Sequence, residues 1–205
     1  MHPSFKQLAA ALLLILTVAG LPMLVTPAGA HNWSGTTGYT GCANGSPVNR
    51  ADNATHTIHY IDLKDHVRNM NEWVRNNVLE PAGFKTSVQA SPNSLTDVLV
   101  RDRYYVDYCG FNWWNQSKDS GVIGLATCDK LSPTSRCETH TLRYNLHWTD
   151  LQGVALRRRL ACHEHGHGIG LQHRSTQTGC MPAMAEDWAV SDYSPHDKNH
   201  LTNNY

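Results

Sequence analysis

The stretch HEHGHGIGLQH, His163 to His173, sets three imidazoles, one carboxylate and a late glycine at fixed intervals. On a helix turning about 100° per residue, His163 and His167 share one face, close enough for both rings to reach a single metal ion. Glu164 follows the first of them, so its carboxylate stands beside such an ion rather than on it. That is the place of a base that takes a proton from water held by the metal. Gly170 is free to adopt the positive φ that ends a helix, and the reversed chain then returns His173 as a third nitrogen ligand. Three neutral nitrogens and an open fourth position form the donor set of a catalytic zinc ion, so one Zn2+ is the expected cofactor. His165 projects about 200° away from His163 and is read as a neighbour behind the ligands rather than one of them. In a chain of this composition the pattern arises by independent placement with a chance of roughly one in ten thousand.

At every defining position these residues, H-E-x-x-H-x-x-G-x-x-H, resemble the long zinc signature of the metzincin endopeptidases. The resemblance implies a methionine turn passing beneath the metal, and Gly179-Cys180-Met181-Pro182 supplies one, with Met181 eight residues after His173 as in matrixin-like members. Ordinary core packing is the competing role for Met181. Matrixins usually read Met-Tyr-Pro-x-Tyr, whereas this chain reads Met181-Pro182-Ala183-Met184, so subsite preference does not carry over. The similarity extends over about residues 54 to 205, of which 163 to 181 are diagnostic. It implies an α+β, metzincin-like single catalytic domain: a twisted, mostly parallel sheet with an antiparallel edge strand, a backing helix, a zinc helix, and a small C-terminal subdomain with a short closing helix. Val122 to Thr127 is then the edge strand that receives an extended protein or peptide substrate. Matrixin-like relatives often carry calcium, but no acidic loop here compels Ca2+.

Working outward, residues 1 to 30 combine Lys6, an apolar run from Leu8 to Ala19, and Ala28-Gly29-Ala30, the pattern of a secretory signal with a small-residue cleavage site. Gly20, Pro22 and Pro27 interrupt that run before it would span a bilayer comfortably, and no later segment is apolar enough to do so. Residues 31 to 53 are rich in Gly, Asn, Thr and Ser and read as an irregular N-terminal segment; residues 54 to 205 form the catalytic domain. Without Lys6 the Lys+Arg count is 16 against 17 Asp+Glu, a formal charge of −1 that steers the chain toward no nucleic acid. The single basic cluster, Arg157-Arg158-Arg159, is read as a solvated face of the zinc helix.

All six cysteines follow the signal, and an oxidising compartment makes three disulfides the default, with 15 pairings open. Cys162 precedes His163 and Cys180 precedes Met181, so a bond between them ties the zinc helix to the turn below the metal. Cys128 with Cys137 closes a short loop, leaving Cys42 with Cys109. Cys42 lacks the Pro-Arg-Cys-Gly surroundings of a matrixin latency switch, and a disulfide is preferred there.

Alternation predicts a strand over Thr55 to Ile61, and Val67, Met70, Val74 and Val78 a helix that Pro81 and Gly83 stop. Further strands are expected over Asp97 to Tyr108, Gly121 to Thr127 and His140 to Trp148, with Asp150 capping the zinc helix. Ser194-Pro195-His196-Asp197 reads as the start of the closing helix. His56, His59, His140, His147, His196 and His200 are read as strand, loop or surface residues, no spacing among them being persuasive as a ligand set.

The expectation is a secreted, monomeric zinc endopeptidase with Glu164 as general base, acting on protein or peptide and having no membrane contact once the signal is cleaved. Two rivals stay open. One is a zinc hydrolase of cell-wall or other amides, with Trp113 and Trp114 holding sugar; the other is a non-catalytic secreted zinc-binding module.

Overall fold

The computed structural model describes residues 50–108, 111–113, 122–174, 178–182 and 190–205. The expected signal sequence, most of the expected irregular N-terminal segment, and Cys42 and Cys109 lie outside the described residues.

Strand β1, Thr55–Ile61, alternates as expected, burying His56, Ile58 and Tyr60. Helix α1, Asp65–Val74, continues through one π-turn at Arg75–Leu79, and Val67, Met70, Val74 and Val78 are all buried. Gly83, at φ 98°, then reverses the chain. A short strand follows that the sequence did not announce, β2 at Lys85–Val88, and then β3 at Val98–Arg103. The remaining strands are β4 (Asp107–Tyr108), β5 (Phe111–Asn112), β6 (Gly124–Leu131) and β7 (Cys137–Asn145).

Five of these form one sheet in the order β2-β1-β3-β7-β6. The first four run parallel, and β6 lies antiparallel to β7 at the edge. Side chains from alternate positions, Ile58 and Tyr60, Val98 and Val100, Leu142 and Tyr144, build the core with the apolar stripe of α1. Helix α3, Val154–Gly168, packs against α1 and against β6 and β7. The expected mostly parallel sheet with an antiparallel edge, a backing helix and a second helix across it is therefore the architecture observed.

Several boundaries differ from expectation. The run Asp97 to Tyr108 is two pieces: β3 stops at Arg103, the residue paired with Asn145 at the end of β7, and β4 pairs instead with β5 in a separate two-stranded sheet. The edge strand begins at Gly124 and extends to Leu131, rather than covering Val122 to Thr127. Strand β7 ends before Leu146 because Asn145 turns its side-chain oxygen onto the His147 N–H, 3.0 Å away, capping the short helix α2, Leu146–Thr149.

Asp150 does not cap α3; Gly153 does. The Asp150 carboxylate instead accepts from Lys64 Nζ at 2.7 Å and from the Tyr104 hydroxyl. Nor is the arginine cluster a solvated face. Arg157 Nε donates to Thr149 O at 2.7 Å, Arg158 lies over the Trp73 ring, and Arg159 is buried with Nη2 3.4 Å from Pro182 O. Positions a turn or less apart on a buried helix point to different neighbours, so a run of like charges need not share an environment.

At the C-terminus, Ser194 and Asp197 form the expected capping box for helix α4, Pro195–Asn204. Disulfides join Cys162 to Cys180 and Cys128 to Cys137. Among the described residues no helix is long and apolar enough to cross a membrane.

Candidate metal centre

Helix α3 carries His163 and His167 one turn apart and ends in a Schellman turn. The Leu171 N–H reaches back to Gly166 O at 2.8 Å and the Gly170 N–H to His167 O at 3.0 Å, with Gly170 at φ 100°. This reversal returns the chain across the helix end and brings His173 to the other two rings. His163 Nε2 lies 3.0 Å from His167 Nε2 and 3.1 Å from His173 Nε2.

Two of the three rings have their other nitrogen committed. His163 Nδ1 is 2.9 Å from Cys180 O, and His167 Nδ1 is 2.7 Å from Leu171 O. A carbonyl can only accept, so the proton of each neutral ring sits on Nδ1 and the Nε2 lone pair faces the common point. Burial depresses the basicity of all three: His163 falls well below the ordinary histidine value, His167 to about 4, and His173 is lowered too; for His163 and His167 the neighbouring rings add to the effect. Neutral imidazoles with converging lone pairs are what a divalent zinc ion requires, and these three residues fit it.

A second group, Cys128, Cys137 and His140, also brings ligand-type atoms together. Its two sulfurs are joined in a disulfide and offer no thiolate, so it lacks the donors of a metal site.

Met181 is fully buried. It packs against the helix backbone at Gly166, where an added Cβ would fall 3.0 Å from Met181 Cε and nearer still to its sulfur. The preceding Cys180 is bonded to Cys162, so one disulfide fixes both the methionine and the carbonyl that holds His163. After His173, the Arg174 N–H donates to Met181 O at 3.1 Å. The Arg174 guanidinium reaches the Ser194 hydroxyl and the buried Asp197 carboxylate, 3.4 Å from Oδ1, binding the third-histidine segment to α4.

Glu164 is buried against the edge strand. Its carboxylate receives a backbone hydrogen bond from Ala126, while burial lifts its pKa to about 8. Gly124 makes the seat: a Cβ there would stand 2.7 Å from Glu164 Cδ and 2.9 Å from Cγ. Behind the ligands, His165 Nε2 donates to Asn71 Oδ1 at 2.9 Å, and the Tyr144 hydroxyl donates to the same oxygen at 2.9 Å. This buried network locks the zinc-motif helix to α1 and β7.

Of the residues expected from sequence, His163, His167 and His173 are brought together, while Glu164 lies against the edge strand at Gly124 and Met181 against the helix at Gly166. Gly124, Ala126, Gly166, Asn71 and the carbonyls of Leu171 and Cys180 were not anticipated, since only the packing of distant segments reveals them. Trp113, considered as a sugar platform, is buried with Nε1 donating to Tyr108 O at 2.9 Å; Trp114 lies outside the described residues.

No protein-family model matches the chain, and a comparison with curated proteins gives no match. Among solved structures it is similar to a crystal structure of myroilysin, with TM-score 0.44 and 14% identity, covering 84% of this chain and 93% of that one. A second myroilysin structure gives TM-score 0.42 and 12% identity, covering 77% and 82%. Overlap this loose carries no weight for activity, which rests on the residues themselves.

Proposed function

We propose that the chain is a secreted zinc-dependent endopeptidase. The supporting observation is the convergence of three Nε2 atoms, at 3.0 and 3.1 Å from one another across His163, with two of the opposite ring nitrogens anchored on carbonyls. His163, His167 and His173 would hold the ion. A bound zinc ion supplies Lewis acidity and lowers the pKa of water from 15.7 to about 7.

Glu164 is the general base. Seated against β6 and raised to about 8 by burial, its carboxyl group has an affinity for protons suited to taking one from the attacking water and returning it to the leaving amine. A cation nearby favours its ionised form, so the residue enters the reaction as an acceptor. A structural or storage site has no use for such a base, which sets this reading above a non-catalytic zinc module.

Strand β6 supplies the binding edge. It closes one side of the sheet, so an extended peptide would pair along its outer side, beside the point where the Ala126 N–H donates to Glu164. The substrate in this reading is protein or peptide. Export agrees with the two disulfides, which persist in oxidising compartments.

Replacement of Glu164 by Ala tests the assignment. The purified variant is expected to retain near-stoichiometric zinc while hydrolysis of an unfolded protein substrate falls by about 10²- to 10⁴-fold. Unchanged turnover, or activity on peptidoglycan but not on casein, would reject it.

A further inference from the structure

Helix α4 carries a second pair of histidines with the same spacing as the first. His196 and His200 are one turn apart, their Nε2 atoms are 3.0 Å apart, and their ring centroids are separated by 4.5 Å at an interplanar angle of 70°. For His163 and His167 the corresponding values are 3.0 Å, 4.5 Å and 85°. We propose that His196 and His200 form a second, independent binding site for a borderline divalent transition ion such as Zn2+ or Ni2+, separate from the peptidase centre.

Chemistry selects that class of ion. Two ligands bonded to one metal at about 2.0–2.1 Å have their nitrogens roughly 3 Å apart, the separation found here. Imidazole suits Zn, Ni and Cu, whereas calcium and magnesium demand oxygen ligands. Both rings are half-buried, so an ion can reach them from solvent and complete its shell with water.

The pair is also held in place before any ion arrives. The capping box of Ser194 and Asp197 fixes the helix start, and Arg174 reaches the same two residues. At the far end Asn204 accepts from Arg50 at 2.7 Å and the Tyr205 hydroxyl donates to Ile169 O at 2.7 Å. A helix pinned at both ends presents its i and i+4 rings with little ordering left to do on binding.

The competing explanation is a simple hydrogen bond between two neutral imidazoles, and substitution separates the two. The mature protein is equilibrated with excess zinc chloride, and tightly and weakly held ions are counted by titration calorimetry and elemental analysis. Wild type is expected to take up about two ions per chain, and His200→Ala and His196→Ala about one each, with peptidase activity unchanged. His200→Gln keeps a hydrogen-bonding partner for His196 but is a poor ligand, so it too should lose the second ion while melting like wild type. In the double variant His163→Ala, His167→Ala the α4 ion should remain, which keeps this site distinguishable from the peptidase centre. Equal stoichiometry in wild type, His196→Ala and His200→Gln would overturn the proposal.

Discussion

Replacing Gly124 by Ala puts the seating of Glu164 to a direct test. The added methyl carbon would stand 2.7 Å from Glu164 Cδ and nearer still to Oε1, against an ordinary contact of at least 3.4 Å, so carboxyl and strand must separate by about 1 Å. Neither side yields easily, because β6 is bonded to β7 along its length and Glu164 lies on a buried helix. Misplacing a reacting group by about 1 Å costs on the order of 10²-fold, so the variant should lose ten- to a hundredfold in kcat/KM, about 1.4 to 2.7 kcal/mol of transition-state stabilisation. The assay is steady-state hydrolysis of a quenched fluorescent peptide, with zinc content and thermal melting measured on the same preparation. Glu164→Asp shortens the side chain by one methylene and relieves the crowding. In the double variant Gly124→Ala, Glu164→Asp the two losses should therefore be less than additive. If Gly124→Ala retains full kcat/KM with zinc bound, or if the losses simply add, the steric argument fails.

Substituting both Cys162 and Cys180 by Ser opens a loop spanning 18 residues and should lower unfolding free energy by about 3 kcal/mol in denaturant titrations. Because Cys180 O holds His163, the same variant should release zinc faster to a chelator, and an unchanged release rate would uncouple the disulfide from the ligand. Buried His56 has its pKa lowered from 6.5 to about 3, chiefly by desolvation and then by His140. Its folded value lies below the unfolded one, so the stability it contributes is present above pH 6.5 and lost as pH falls toward 3. Between pH 6.5 and 5 that loss should approach 2 kcal/mol, at up to about 1.4 kcal/mol per pH unit. His56→Phe should flatten this limb of the stability profile, and an identical slope in both proteins would assign the acid sensitivity elsewhere.

What could be read from sequence was what local spacing encodes. The i, i+4 histidines, the positive φ at Gly170 and the capping box at Ser194 each depend on a few consecutive residues, and each is present in the fold. Strand β2 carries one apolar residue in Lys85-Thr86-Ser87-Val88 and is exposed along most of its length, so it offered no periodic signal. The end of β7 depended on Asn145 preferring to cap a helix, which apolar Leu146 and Trp148 concealed. Arg159 gave no sign of burial, because its partner Pro182 lies 23 residues away. Gly124 is the clearest case. Its lack of a side chain acquires meaning only when helix and edge strand meet, a contact 40 residues apart in the chain.

The three candidate ligands are not equivalent. His163 and His167 are half-buried on a rigid helix, each steadied by a carbonyl, whereas His173 is exposed on an irregular segment and, among the described residues, no carbonyl steadies its Nδ1. With zinc bound as proposed, His163 and His167 would be the two preset teeth of the chelate and His173 its latch. Exchange with the surroundings would then begin at His173, next to Arg174, whose guanidinium ties that segment to Ser194 and Asp197.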